Sequence, residues 1–181
     1  MSNFNENTRV QVPAALHLCK LGYEYLDEKD IMAYDHKTNI LTDVFLRSIR
    51  HINPDATGEE VSMLYSKIIN ISDNADLGRE FYALLSANSG VKLVDFENPD
   101  NNAWHVTTEF TCHNDETDDE FRPDITCFVN GMPLAFIEVK KPNNHEGILA
   151  ERDRINVRMS KKCFRSFFNI TQLMIFSNNQ E

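Results

Sequence analysis

Asn130-Gly131 stands between two runs of β-branched and aromatic residues, Ile125-Thr126-Cys127-Phe128-Val129 and Leu134-Ala135-Phe136-Ile137-Glu138-Val139-Lys140. An Asn-Gly pair in that setting specifies a tight hairpin, because both residues accept the positive φ that the favoured two-residue turn demands. Successive strand side chains point to opposite faces, so Glu138 and Lys140 share one face and Val139 takes the other. Hairpin pairing returns Glu138 and Lys140 toward the start of the first strand, where Asp124 follows Arg122-Pro123.

An aspartate, a glutamate and a lysine brought together in this way are what a magnesium-dependent nuclease needs. Two carboxylates on neighbouring strands make a hard-oxygen site suited to Mg²⁺, which keeps several of its waters. The ion would polarise a phosphoryl oxygen and acidify a bound water, and Lys140 would orient that water or offset charge building up at phosphorus. The alternative is an edge hairpin carrying Glu138 and Lys140 as a solvated pair. Charge burial decides between them: a glutamate inside the apolar run 134–139 costs several kcal/mol, on the order of an unpaired buried carboxylate, unless it has a purpose there.

The segment resembles the PD-(D/E)xK nuclease superfamily, and more narrowly the N-terminal nuclease region of the restriction (motor) subunit of type I restriction enzymes. The residues that carry the resemblance are Phe121-Arg122-Pro123-Asp124-Ile125, Asn130-Gly131-Met132-Pro133-Leu134 and Phe136-Ile137-Glu138-Val139-Lys140-Lys141-Pro142. It covers the chain from about residue 6 to the end, strongly from Phe121 onward. The resemblance implies a restriction-endonuclease-like α/β core cutting double-stranded DNA. Asp124 and Glu138 would be magnesium ligands, with the Val139 carbonyl, and Lys140 the catalytic lysine. The family's additional acidic residue from the first helix maps onto Glu6. Family members also carry a glutamine and a tyrosine four apart on the helix after the lysine; this chain has Arg154 and Arg158 at that spacing. Implied partners are the modification and specificity subunits and a downstream ATP-dependent translocase, so ATP would enter only through a motor domain outside these residues.

Net charge is −10, unusual for a protein that meets DNA, but the charge is unevenly placed. Between Lys140 and Arg165 eight basic residues face three acidic ones (Glu146, Glu151, Asp153), making that segment +5 and the remainder −15. Phosphate attraction needs a local positive surface, not a positive total. Lys141, Arg152, Arg154, Arg158, Lys161 and Lys162 are the candidate DNA contacts. The acidic remainder implies weak grip by this piece alone. Five carboxylates in residues 115–120 lack the glycine and spacing of a calcium loop and read as a solvated loop.

At 181 residues the chain can bury one core but cannot hold a nuclease and a motor together. The expected organisation is one endonuclease domain over 1–181, with a helical insertion at about 39–88 and a nuclease core at about 91–177, as the N-terminal fragment of a longer protein. No apolar run spans a bilayer and residues 1–6 lack a secretory layout, so a cytoplasmic location is expected. The four scattered cysteines include no C-x-x-C pair, which argues for a reducing compartment and against a zinc ribbon.

Periodicity predicts a first helix over 5–21 broken or kinked at Pro13, a short strand at 23–26 and a loop over 27–38. Three helices follow: one over 39–52, one capped by Thr57-Gly58-Glu59-Glu60, and one capped by Asn74 with Leu77, Phe81, Leu84 and Leu85 along a stripe. Strands are expected at 91–96 and 104–112 before the hairpin, then a helix over 148–159 and a strand over 170–176. The result is a central mixed sheet flanked by helices, plus an inserted helical layer. Two other functions fit the same sequence: a catalytically silent docking domain for a motor or specificity subunit, and a stand-alone repair nuclease. The intact Asp-Glu-Lys set weighs against silence, and a downstream ATPase would exclude the stand-alone enzyme.

Overall fold

The computed structural model describes residues 10–27, 29, 31, 34–87, 89–113, 119–140 and 145–177. Among these residues six α-helices, α1 (Val12–Lys20), α2 (Thr42–Ile52), α3 (Gly58–Ser72), α4 (Arg79–Leu85), α5 (His145–Met159) and α6 (Arg165–Ile170), surround five strands, β1 (Glu24–Tyr25), β2 (Trp104–Thr108), β3 (Ile125–Val129), β4 (Met132–Val139) and β5 (Leu173–Ser177). The strands form one sheet in the order β1-β2-β3-β4-β5. The outer pairs are parallel and the inner pairs antiparallel, the expected α/β fold with a mixed sheet. Among the described residues no helix is long and apolar enough to cross a membrane.

The hairpin forms where Asn-Gly placed it. Asn130 and Gly131 adopt φ of 50° and 79°. Asn130 does more than turn the chain. Fully buried, it donates to Leu93 O and Asn102 Oδ1 (2.9 Å each) and accepts from Ala103 N–H (2.8 Å). Alternation then divides the sheet between two cores. Val106, Ile125, Cys127 and Val139 face α1 through Val10, Ala14 and Leu18. On the other face Phe128 and Phe136 pack with Leu41, Phe164, Phe167 and Phe168. The helices α2, α3 and α4, which lie between β1 and β2 in the chain, build a further cluster around Phe45, Ile68 and Phe81 with Val129 and Met132.

Several expectations need correction. Residues 91–96 form no strand, because side chains replace the ladder there. Asn53 bonds both the N–H and the C=O of Lys92, and Asn102 does the same for Asp95. The strand predicted over 104–112 stops at Thr108, where Glu109 turns left-handed (φ 58°). Pro13 lies in the first turn of α1, where its missing N–H costs nothing; Val10 and Gln11 before it have a π-helical backbone, so the helix changes its winding at Pro13, as the expected kink there implies. Asn74 does not cap α4: that helix begins after Gly78 in a left-handed conformation, and Asp76 takes the N–H groups of Gly78 and Glu80. Leu77, at φ 56°, is exposed and off the stripe. Residue 170 closes α6, a short helix buried almost all round, and the last strand starts at Leu173. Thr57 and Glu60 make the predicted capping box on α3.

Candidate active site

Register places Ile125 opposite Ile137, so the next residues out, Asp124 and Glu138, meet across the hairpin at the end away from its turn. The Val139 N–H donates to Asp124 Oδ2 at 2.8 Å, which ties the first carboxylate to the strand bearing the second. Glu138 is only 6% exposed. Burial first, then the neighbouring charges of Asp124 and Glu151, pushes its pKa up to about 8, while Lys140 opposes the shift. A hydrogen bond shared with Asp124 adds to the rise.

Lys140 leaves β4 with its N–H bonded to Ser177 O at 2.7 Å. Its ammonium lies 3.1 Å from Oε2 of Glu151 on α5. Asp124, Glu138 and Lys140 stand out in the sequence; Glu151, a residue only 4% exposed, does not. A signal for it exists in the sequence: Glu151 falls four residues before Ile155, which is fully buried, so a carboxylate occupies the helix face that packs inward. Arg154 binds the same Glu151 oxygen from the solvent side.

Asp124 is also supported from behind. Gln11, 2% exposed at the start of α1, donates to the Asp124 carbonyl at 2.6 Å and to Glu109 Oε1 at 3.3 Å. Glu109 donates its own N–H to the same carbonyl (3.1 Å), and its carboxylate pairs with Arg122 of the Arg-Pro-Asp triplet at 3.0 Å. Gln11 and Glu109 were not legible as neighbours of Asp124, since they lie 113 and 15 residues from it and meet it only in the fold.

The remaining predicted residues divide. Glu6 and Lys141 lie outside the described residues, as do 115–118 of the acidic run. Arg152 pairs with its neighbour Asp153 at the surface (2.9 Å), and Lys161 pairs with Asp119. Arg158 stacks on Phe121 with its guanidinium carbon 4.8 Å from the ring centre. Lys162 is exposed in the short 3₁₀ turn before α6. Arg154 and Arg158, at the spacing of the family's glutamine and tyrosine, thus contact Glu151 and Phe121.

The donor set fits a hard divalent cation. Two carboxylates forced together in a buried setting resist joint ionisation, and a cation between them removes that resistance. Among the described residues no three His, Cys, Asp or Glu side chains gather as a metal-binding group, so the remaining ligands would be backbone oxygen and water, as hard cations accept. All four cysteines are free thiols, and the buried Cys112 and Cys127 have thiol pKa values pushed up by burial.

A mixed β-sheet flanked by helices, with an acidic pair at the open end of its central hairpin, defines a restriction-endonuclease-like core. The family described as the N terminus of the type I restriction enzyme R protein matches residues 3–181, and the chain belongs to that family. A Methanocaldococcus jannaschii protein described as the MjaIXP endonuclease subunit of a type I restriction enzyme is 29% identical over 203 residues, covering 99% of this chain and 19% of that protein. The HindI endonuclease subunit of a type I restriction enzyme from Haemophilus influenzae is 29% identical over 161 residues, covering 76% of this chain and 15% of that protein. The chain therefore spans less than a fifth of the length of these relatives.

Proposed function

We propose that this chain is the nuclease part of a type I restriction enzyme R subunit and hydrolyses phosphodiester bonds of double-stranded DNA with Mg²⁺. The observation that carries the reading is the meeting of Asp124, Glu138 and Lys140 on one sheet face, with Glu138 buried at a cost that only a cation or a proton offsets. Asp124, Glu138 and the Val139 carbonyl would hold the ion. When bound, Mg²⁺ supplies Lewis acidity toward the phosphate and lowers the pKa of a coordinated water.

The chain's own residues do the rest. The Val139 N–H holds the Asp124 carboxylate against the strand that carries Glu138, so the spacing of the two is set before a cation arrives. Lys140 presents a positive charge beside them for the charge that develops on the phosphoryl group. Arg152, Arg154, Arg158, Lys161, Lys162 and Lys141 are proposed to track the DNA backbone, and Glu6 to add a further acidic group. Sequence specificity would come from a partner, with the modification and specificity subunits as the proposed partners, and ATP would enter through a downstream translocase. The assembly would work in the cytoplasm. Residues 1–181 are proposed to form one endonuclease domain, with 39–88 as its helical insertion and 91–177 as its core.

The test is a magnesium titration by calorimetry on the chain and on Asp124→Ala and Glu138→Ala. The reading requires a binding event that both substitutions abolish. Unchanged binding in the variants would favour the silent docking domain. Lys140→Ala, assembled into the complete enzyme, should take up magnesium and fail to cut; normal cutting would remove Lys140 from the mechanism.

A further inference from the structure

We propose that Glu151 is a positioning residue for Lys140, fixing where the ammonium stands relative to Asp124 and Glu138. The proposal rests on the nuclease reading above. The backbone of Lys140 is pinned by its bond to Ser177 O, but its four-carbon stem is flexible, so the place of the ammonium is set by what the side chain meets. Glu151 Oε2 meets it at 3.1 Å. The pair is not an ordinary surface bridge, since the two side chains are 17% and 5% exposed. Exposed pairs hold geometry weakly, whereas a buried pair persists because separating it strands a desolvated charge.

Two further observations define what Glu151 does. Its α5 face is anchored by Ile155, which packs with Phe121, Phe136 and Phe164, so the carboxylate cannot follow the lysine outward. Its Oε2 also takes Arg154, whose side chain is 63% exposed. An oxygen already shared by two cations acts as a counter-charge and is poorly placed to serve as an open metal ligand. Glu151 lies close enough to Glu138 to oppose its ionisation, which puts all three carboxylates and the lysine in one electrostatic unit.

The experiment compares Glu151→Gln and Glu151→Asp with wild type in the complete enzyme. The readouts are kcat, KM for DNA, magnesium uptake by calorimetry, and the rate at which an acetylating reagent labels Lys140, followed by peptide mass spectrometry. Glu151→Gln should keep magnesium uptake and KM while kcat falls by about 100-fold, the cost of misplacing a reacting group by about 1 Å. Lys140 should be labelled severalfold faster, and Glu151→Asp, which keeps the charge, should recover much of kcat. Loss of magnesium uptake would make Glu151 a ligand and overturn the proposal; so would unchanged labelling, or an unchanged kcat. If Glu151→Gln does not fold, the labelling rate of Lys140 in Glu151→Asp decides: labelling faster than in wild type supports the role, because the shorter side chain holds the ammonium less closely, and an unchanged rate ends it. A wild-type enzyme that does not cut overturns the nuclease reading and this proposal with it. Wild-type cutting matched by the Glu151 variants overturns only this proposal.

Discussion

Oδ2 of Asp124 accepts the backbone N–H of Val139 at 2.8 Å, so a side chain from before β3 completes the hydrogen bonding of the strand that carries Glu138 and Lys140. One contact both closes the hairpin and sets the spacing of the candidate ligands. Structure and function therefore share this carboxylate, and substitutions can separate them.

Asparagine at position 124 keeps an acceptor for the Val139 N–H and removes the charge beside Glu138. In metal-free buffer Asp124→Asn should be at least as stable as wild type. Asp124→Ala leaves that N–H without its partner and should be less stable than Asp124→Asn by about 1–3 kcal/mol. Urea denaturation of both, read beside magnesium calorimetry in which both lose binding, tests the division.

Glu138 makes stability depend on pH in an unusual direction. Its carboxyl titrates near 8 in the folded chain, above its ordinary 4.5. The folded state therefore holds this proton more tightly than the unfolded state. The associated stability is fully present below about pH 4.5 and is lost as pH rises through 8. Glu138→Gln cannot ionise, so in EDTA it should match wild type near pH 5 and exceed it by a few kcal/mol (about 1.4 kcal/mol per unit of pKa difference) near pH 8.5. Magnesium should reverse the order at alkaline pH by stabilising wild type alone. Melting curves at the two pH values, with and without the ion, settle both signs.

The parts of the fold that the sequence made legible are those whose cause is local. Asn130-Gly131, the alternation of β3 and β4, and the Thr57–Glu60 box all act within a few residues of themselves. The cost of a glutamate in an apolar strand is local too, and it pointed to Glu138. Other features depend on docking. Residues 91–96 are rich in apolar residues like a strand, yet their backbone groups are taken by Asn53 and Asn130, 39 and 37 residues away, and by Asn102, 7 residues on. Phe167 to Ile170 are buried together, so α6 shows no polar side to betray its helical period. Glu151 looked like one of three acids in a basic segment because only the packing of α5 brings it to Lys140.

Gly131 is fixed by sterics as well as by φ. A Cβ there would meet Leu41 O at 2.6 Å and Phe45 N at 2.7 Å, both backbone atoms at the start of α2. Gly131→Ala should therefore cost more than the roughly 1 kcal/mol of a left-handed alanine, and displace α2 from the hairpin. Asn130→Gly keeps the turn and loses three buried hydrogen bonds, so it should cost about 2–4 kcal/mol. Denaturant unfolding of the two variants, with amide exchange on α2, distinguishes the mechanisms: only Gly131→Ala should loosen α2 ahead of global unfolding.

Among the basic residues proposed to meet DNA, Arg152 and Arg158 should behave differently. Arg152 is exposed and pairs with its neighbour Asp153, a surface pair worth about 0–1 kcal/mol that a phosphate displaces readily. Arg152→Ala should weaken duplex binding alike for all sequences and reduce the salt slope by about 1, with melting temperature unchanged. Arg158 lies over Phe121, whose ring is itself enclosed by Phe136, Phe164, Phe167 and Phe168. Arg158→Ala uncovers that cluster and should cost about 1–2 kcal/mol of stability whether or not DNA is present. Salt titrations of DNA affinity, paired with melting curves for each variant, test the split. An Arg152→Ala slope equal to wild type would remove that residue from the proposed DNA path.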